Sequence, residues 1–407
     1  MSGLSTSLLV AIALVPALAA AVLWLQVLVA CWPRALGHWA RASARRSLKD
    51  APPVQRPRLA VLVPAHNEAA GIANTLVSIL AQLNPGDRLL VVADNCVDNT
   101  SQVSALAGAE VVERHDVQHR GKGYALDFGV RHLSADPPPI LVMVDADCVA
   151  APGALDALAA SCAQFDRPAQ ALYLMQAPPG AKLSGRLAEF AWRVKNQVRP
   201  LGSWHLGGPC QLVGSGMAFP WRLISKAPLA SGQLVEDMQL GIDLAMAGKP
   251  PLLVPQALVT SRFPDTPHSA LAQRKRWEHG HLAMIGNTVP ALIAAGILRA
   301  DGLLLALALD ILVPPLALLS LLTAALALLN LGAWLLFGAV APLAISLLSL
   351  ALIGSATVVA WLRFGAGTVS GSELLLAPIY AVRKLPIYLS FLVRRQTEWI
   401  RAKRDGE

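Results

Sequence analysis

From Leu4 to Trp32, a run of 29 residues, the chain carries no charged side chain. An α-helix needs roughly 20 predominantly apolar residues to cross a bilayer core. Only a helix or a closed barrel satisfies its backbone there, so this run is expected to be a membrane helix. The rival reading is a cleaved signal peptide, because Ala17–Ala21 could pass for a cleavage site. No basic residue precedes the run and it stays apolar through Leu23–Trp32, which favours an uncleaved anchor. The flanking charges, Arg34, Arg41, Arg45, Arg46 and Lys49, are all C-terminal to it. Basic flanks mark the cytoplasmic side, so the N-terminus is expected outside and the following domain inside.

Two further apolar runs, Leu303–Leu329 and Trp334–Leu362, are read as spans joined by an outward loop at Asn330-Leu331-Gly332, with Arg363 marking the return. Asp310 lies inside the first of them, where an acid is either functional or paired. Residues 281–298 are short for a span, and 372–393 carry Arg383, Lys384, Pro378 and Pro386. Both segments fit helices lying in the interface, as a collar where a lipid-borne substrate meets a soluble domain. At 55% hydrophobic and 15% charged, the whole is too apolar for an ordinary soluble protein, yet 50–280 has a globular composition.

The net charge of +8 raises nucleic-acid binding. Its placement argues against that, since the basic residues flank apolar runs and close the chain at Arg394, Arg395, Arg401, Lys403 and Arg404. They suit anionic lipid heads, and no groove-reading or base-stacking module is visible. The cysteines (Cys31, Cys96, Cys148, Cys162, Cys210) form no C-x-x-C pair and no zinc spacing, as expected of reduced thiols.

Residues 50–57 are a Pro-rich linker. Beyond it, short β-rich runs at Leu59–Val63, Leu89–Val92, Glu110–Val112 and Ile140–Val144 alternate with helical patterns such as Glu68–Leu83. That alternation predicts an α/β sheet, in which ligands bind beyond the C-terminal strand ends. Three of these ends carry polar or acidic groups: Pro64-Ala65-His66-Asn67-Glu68, Asp94, and Asp145-Ala146-Asp147.

Asp145 and Asp147 face one side of an extended strand end. Such a pair suits Mg²⁺ or Mn²⁺ shared with phosphate oxygens, although a lone D-x-D often just caps a turn. Lys122, in Arg120-Gly121-Lys122-Gly123, is placed to reach a diphosphate, or simply lies in a surface turn; the spacing is not that of a P-loop. Glu236-Asp237 opens a helical pattern, where acids are favoured in any case, or supplies a general base. In Gln273-Arg274-Lys275-Arg276-Trp277, Arg276 suits charge developing on a departing diphosphate and Trp277 offers a flat face to a sugar. A juxtamembrane basic-aromatic anchor is the alternative. Gly214-Ser215-Gly216-Met217 reads as a flexible loop shaping an acceptor site.

In this order, Val63-Pro64-Ala65-His66-Asn67-Glu68, Ala93–Thr100, Gly121-Lys122-Gly123, Asp145-Ala146-Asp147, Glu236-Asp237 and Gln273-x-x-Arg276-Trp277 resemble the membrane-bound family-2 glycosyltransferases, relatives of cellulose, chitin and hyaluronan synthases and of ceramide glucosyltransferase. The resemblance covers roughly 58–285. It implies an α/β GT-A (nucleotide-diphospho-sugar transferase) domain with N- and C-terminal transmembrane helices and interfacial helices. It further implies a donor site at Pro64, His66, Glu68, Asp94, Lys122, Asp145, Ala146 and Asp147, with Asp94 on the base. Asp145 and Asp147 would hold Mg²⁺ or Mn²⁺, and Asp237, beside Glu236, would be the catalytic base. Gln273, Arg276, Trp277 and Gly214-Ser215-Gly216 would serve diphosphate and acceptor. The chain departs from the family pattern at Ala93, where an aspartate is common, at Asn95-Cys96 for Gly-Ser, and at Val235 for threonine.

The expectation is an inverting transferase at the bacterial inner membrane, with its catalytic domain in the cytoplasm. It would use a nucleotide-sugar, a UDP-sugar foremost, and a lipid-linked saccharide or glycolipid acceptor in exopolysaccharide or glycolipid synthesis. The rivals are a processive synthase, a degenerate membrane subunit and a nucleotidyl- or phospho-sugar transferase. Three spans are few for a polymer channel, so a processive reading would call on an oligomer or a partner.

Overall fold

The computed structural model describes residues 3–32, 56–231, 235–264 and 266–393. The basic residues Arg34 to Lys49, the linker residues 50–55 and the C-terminal basic cluster lie outside the described residues. In chain order the elements begin with α1 (Gly3–Cys31), β1 (Leu59–Ala65), α2 (Ile72–Leu80), β2 (Arg88–Asp94), α3 (Thr100–Leu106), β3 (Glu110–Arg114), α4 (Lys122–Leu133), β4 (Ile140–Met143), β5 (Val149–Ala150), α5 (Ala154–Phe165) and β6 (Ala169–Gln176). Then come α6 (Leu183–Arg193), a π-helical turn Val194–Val198, α7 (Arg199–His205), β7 (Met217–Pro220), α8 (Trp221–Ile224), α9 (Glu236–Met246), β8 (Leu252–Arg262) and α10 (Pro267–Asn287). The chain continues with α11 (Val289–Leu298), α12 (Gly302–Leu312), α13 (Leu316–Phe337), α14 (Val340–Ala360), a π-helical turn Trp361–Gly365, α15 (Gly371–Leu374), α16 (Ala377–Val382) and α17 (Leu385–Val393).

The chain forms two compact units, one holding the described residues of 43–178 and 208–280, the other those of 1–42, 179–207 and 281–396. The first is built on a mixed eight-stranded sheet of order β3-β2-β1-β4-β7-β6-β8-β5. Strands β3, β2, β1 and β4 are mutually parallel, and β7 runs antiparallel to β4. The run Leu59–Val63 is fully buried, as a strand covered on both faces must be, which is why it reads as uninterrupted apolar residues. The four strands expected from the sequence are β1 to β4. The edge formed by β6, β8 and β5 carries no comparably simple pattern. Its short β5 pairs antiparallel with β8, Val149 opposite Thr260, immediately after the acidic turn at 145–147. The core beneath the strand ends gathers Leu62, Leu90, Met143, Met217, Phe219 and Leu240.

The second unit is helical. Among the described residues, three of its helices are long and apolar enough to cross a membrane: Thr6–Cys31, Leu316–Phe337 and Val340–Gly365, with mean hydropathies of 2.7, 2.1 and 2.2. The bent pair His268–Asn287 and Val289–Leu298, at 41°, would add a fourth if it counted as one span. The structure corrects the sequence-based expectation here. The run 303–329 is not one helix, because Val313-Pro314-Pro315 separates α12 from α13; consecutive prolines remove two backbone donors. The break between the two long helices is at Gly338, left-handed with φ 70, and not at Asn330-Leu331-Gly332. Asn330 lies within α13, buried, and donates to Ser346 Oγ at 2.9 Å. Nor does 281–298 stand as a separate helix, since it is shared between the end of α10 and α11.

Residues 179–207, which lie inside the expected 58–280 domain, are grouped in space with the apolar helices. The cause is a helical stripe, Leu187, Phe190, Val194 and Val198, buried in one cluster with Ala19, Leu23 and other residues of the second unit. The same unit resolves Asp310, which is paired. Its Oδ1 accepts from Arg199 Nη2 at 2.8 Å and Gln26 Nε2 at 2.7 Å.

Candidate active site

The acidic turn after β4 is held by its own surroundings. Asp145 N–H donates to Ser215 Oγ at 3.0 Å, and the Ala146 carbonyl accepts from Thr75 Oγ1 at 2.8 Å. The segment Gly214-Ser215-Gly216 is therefore not the flexible loop its composition suggests: all three residues are buried. Gly214 is left-handed, φ +91, and a Cβ there would lie 3.2 Å from Asp237 Oδ2, 3.5 Å from Lys122 Nζ and 3.9 Å from Asp145 Oδ2. Three groups drawn from well-separated parts of the chain thus surround one point.

Lys122, at the start of α4, is ion-paired with Asp145 and donates to the Gly214 carbonyl at 2.6 Å. Burial works against its charge, but Asp145, Glu236 and Asp237 outweigh it and hold the ammonium above its usual range. Burial pushes the Asp145 carboxyl up and the Asp147 charge adds to this, while Lys122 opposes. Glu236 is pushed up to about 7, by burial first and by Asp237 second. Both acids sit in the first turn of α9, where the helix N-terminus favours negative charge. Beside them opens a cavity of about 250 Å³ walled by Leu126, Met217, Leu229 and Leu240.

On α10, Gln273, Arg276, Trp277 and Gly280 follow helical spacing and share one face. A Cβ at Gly280 would come within 2.5 Å of Val235 Cγ1, so the glycine lets this face seat on the residue before Glu236. Val235 is therefore a packing partner. Arg276 feels the charges of Glu236, Asp145, Asp237 and Asp147; burial lowers its pKa from the ordinary arginine value and these acids oppose the shift. Gln273 is partly buried, and its Oε1 accepts no hydrogen bond among the described residues. The chain thus brings Asp145, Asp147, Lys122, Glu236, Asp237 and Arg276 into one neighbourhood.

The N-terminal rim is a separate lattice. His66 Nδ1 lies 2.6 Å from the Asp94 carbonyl, and Glu68 N–H donates to Thr100 Oγ1 at 2.7 Å. Pro64, in β1, is paired with Val92. Asp94 is 7% exposed, and its Oδ1 accepts from Arg114 Nη1 at 2.7 Å and Asn95 Nδ2 at 3.0 Å. Asn95 has φ 51. Asparagine tolerates that region better than other non-glycine residues, so the Gly-to-Asn departure keeps the turn. Cys96 Sγ accepts from Asn67 N–H at 3.3 Å, the contact a serine hydroxyl would make. Two residues escape sequence reasoning: Arg114, whose signal is a lone arginine at a strand end, and Ser261, which carries none.

Among the described residues, the cluster able to meet a metal is Asp145, Asp147 and Cys148, whose ligand atoms lie within 4.8 Å of one another. Burial, with the neighbouring acids, pushes the Cys148 thiol far up, and a hard divalent ion prefers oxygen donors to sulfur. Two carboxylates remain, a donor set that fits a hard divalent ion completing its shell with phosphate oxygens.

The family model described as glycosyltransferase-like family 2 matches residues 57–280. A search of curated proteins returned no match. Among solved structures, the chain is similar to the mannosyltransferase PcManGT from Pyrobaculum calidifontis, determined with GDP-Man and Mn²⁺, at 20% identity and a TM-score of 0.53, over 95% of this chain and 100% of that one. It also matches glucosyl-3-phosphoglycerate synthase from Mycobacterium tuberculosis at 23% identity and a TM-score of 0.38, over 55% of this chain and 78% of that one. The first likeness is one of fold, the GT-A fold with helices at both ends. With a match running over more than half of its length, the chain belongs to the family-2 glycosyltransferases.

Proposed function

We propose that this protein is a membrane-attached, inverting glycosyltransferase that moves a hexosyl group from a nucleotide-sugar, a UDP-sugar foremost, to the hydroxyl of a lipid-linked saccharide or glycolipid. The observation that carries this reading is the meeting of Asp145, Lys122 and Asp237 around Gly214, with Arg276 acting on the same carboxylates. Asp237 takes the proton as the acceptor oxygen attacks the anomeric carbon, and the bond from that carbon to the diphosphate oxygen breaks on the opposite face. Lys122 and Arg276 are the cations available to the departing diphosphate. Asp145 and Asp147 would hold the Mg²⁺ or Mn²⁺ that, when bound, supplies counter-charge to the donor. Trp277 offers the acceptor sugar a flat face. His66, Glu68 and Asp94 belong to the rim that takes the nucleoside.

The three long apolar helices support attachment to a bilayer, for which we infer a bacterial inner membrane with the sheet domain in the cytoplasm. The similar mannosyltransferase is described with GDP-Man and Mn²⁺, so the deciding screen includes both nucleotides. Purified protein is incubated with radiolabelled UDP- and GDP-sugars, Mn²⁺ and a membrane lipid extract. Label passing into a lipid-extractable product supports the reading. No transfer from any donor, or a ladder of long polymer, overturns it.

A further inference from the structure

The two aspartates of the D-x-D turn are not equivalent. Asp145 is ion-paired with Lys122. Asp147 has a hydroxyl on one of its oxygens and a thiol near the other. Ser261 Oγ donates to Oδ2 at 2.9 Å, and the Cys148 thiol lies 3.6 Å from Oδ1. Ser261 is 6% exposed and Cys148 is fully buried.

The sheet explains this arrangement. Strand β5 leaves the acidic turn and pairs antiparallel with β8, Val149 opposite Thr260 and Ala150 opposite Val259. Continuing that register by one residue sets Cys148 beside Ser261, so the β8 hydroxyl meets the turn just where Asp147 emerges. On its other side β8 is parallel to β6, Met175 opposite Ser261. Ser215 receives the Asp145 N–H at 3.0 Å, so the turn is held from a second side as well. The hydroxyl is therefore delivered by a strand held on both edges. A serine here contributes no apolar packing that alanine would lack. What it supplies is one directed donor.

We propose that Ser261 is a positioning residue: its hydroxyl sets the Asp147 carboxylate in the orientation that anchors the divalent cation, with Cys148 as a weaker second brace. This rests on the metal role given to Asp147 above. A carboxylate bound to a cation through one oxygen still needs its orientation fixed, and partners behind a ligand commonly govern affinity. Losing the hydroxyl frees the carboxylate to rotate. The loss then falls on metal affinity and leaves the fold alone.

The test is direct Mn²⁺ binding by the purified full-length protein, followed by electron paramagnetic resonance or calorimetry with UDP present. Ser261→Ala should weaken Mn²⁺ binding by roughly 10- to 100-fold. Ser261→Thr, which keeps the hydroxyl, should stay within about threefold of the parent on the same grounds. Metal-free melting temperature and metal-free UDP binding should be unchanged in both. A purely structural role would instead lower the metal-free melting temperature and spare Mn²⁺ affinity. Unchanged Mn²⁺ affinity in Ser261→Ala, or a Thr variant as weak as Ala, overturns the proposal. Absence of Mn²⁺ binding by the unmutated protein removes the metal role of Asp147 itself, a failure distinct from that of Ser261.

Discussion

Lys122 is bound to Asp145, and the same ammonium donates to the carbonyl of Gly214 at 2.6 Å. One of the two carboxylates expected to meet a divalent ion is thus already neutralised by a side chain expected to meet a diphosphate. Metal and diphosphate are therefore expected to favour each other's binding, phosphate oxygens drawing the lysine off and freeing the aspartate.

Replacing Lys122 with methionine keeps the length and removes the charge. At an effective dielectric near 20, two charges about 4 Å apart interact by ~4 kcal/mol, so even a partly screened pair weighs heavily. Lys122→Met should bind Mn²⁺ alone about tenfold more tightly than the parent, while UDP should improve that affinity far less than in the parent. Transfer should fall by about 100-fold or more, since a charge on the leaving group loses a partner. Titrating Mn²⁺ with and without UDP checks this; an unchanged affinity for the metal alone would refute it.

Asp237 lies against the same glycine as Lys122 and Asp145. Asp237→Asn preserves shape and removes the base. It should lower transfer by roughly 10²- to 10⁴-fold, the usual contribution of general-base catalysis. Nucleotide-sugar binding, measured by calorimetry, should stay within about threefold if the group acts mainly on the reaction step. Near-normal turnover would remove Asp237 as the base.

Much of this neighbourhood is legible in the sequence because the candidate groups sit at strand ends and helix starts, where short motifs encode them: Asp145-Ala146-Asp147 after β4, Lys122 opening α4, Glu236-Asp237 opening α9. What the sequence hides is the support. Ser261 is 114 residues from Asp147, and only sheet order joins them. Arg114 and Asp94 meet because β2 and β3 are neighbours. Gly214 reads as a loop glycine, since sequence cannot tell a buried left-handed residue from a mobile one. The apolar runs tell that helices will form, whereas the break at Pro314-Pro315 is written in the two prolines and is passed over when hydropathy alone is read.

Gly214 gives a third expectation. Its φ of +91 disfavours any side chain, and the nearest group to an added Cβ is Asp237 Oδ2 at 3.2 Å. Gly214→Ala should cost about 1–2 kcal/mol of stability from the backbone alone. It should also displace Asp237, so transfer should fall much more than melting temperature. A variant that melts like the parent and works like it would show that the close approach is not required.

Glu236, raised from 4.5 to about 7 by burial and by Asp237, makes its own contribution to the pH dependence of stability. An acid whose folded pKa is raised contributes stability that is complete below its unfolded pKa and lost as pH rises through the folded one. The window is therefore pH 4.5 to 7. Every tenfold gain in proton affinity on folding contributes about 1.4 kcal/mol at most, less whatever the interaction with Asp237 shares out. Glu236→Gln should melt above the parent at pH 8 without metal, and the gap should close toward pH 5. Equal melting at both pH values would mean that Glu236 finds a compensating cation.

The last expectation concerns the helical unit alone. Asp310 accepts from Arg199 and Gln26, Arg199 Nε also donates to Gln26 Oε1 at 3.0 Å, and Gln26 Nε2 reaches Ser203 Oγ at 3.0 Å. The Arg199 side chain is 5% exposed, so removing Asp310 leaves a guanidinium buried without its counter-charge. Breaking such a pair costs about 3–5 kcal/mol, whereas replacing both partners with apolar groups is often neutral. Asp310→Ala should therefore lower the melting temperature in detergent sharply, and Arg199→Met with Asp310→Leu should restore most of it. The double variant also separates architecture from chemistry. If it regains stability and transfer together, the buried ion pair only ties α1, α7 and α12 to one another; if it regains stability without transfer, Asp310 or Arg199 has a further duty in the reaction.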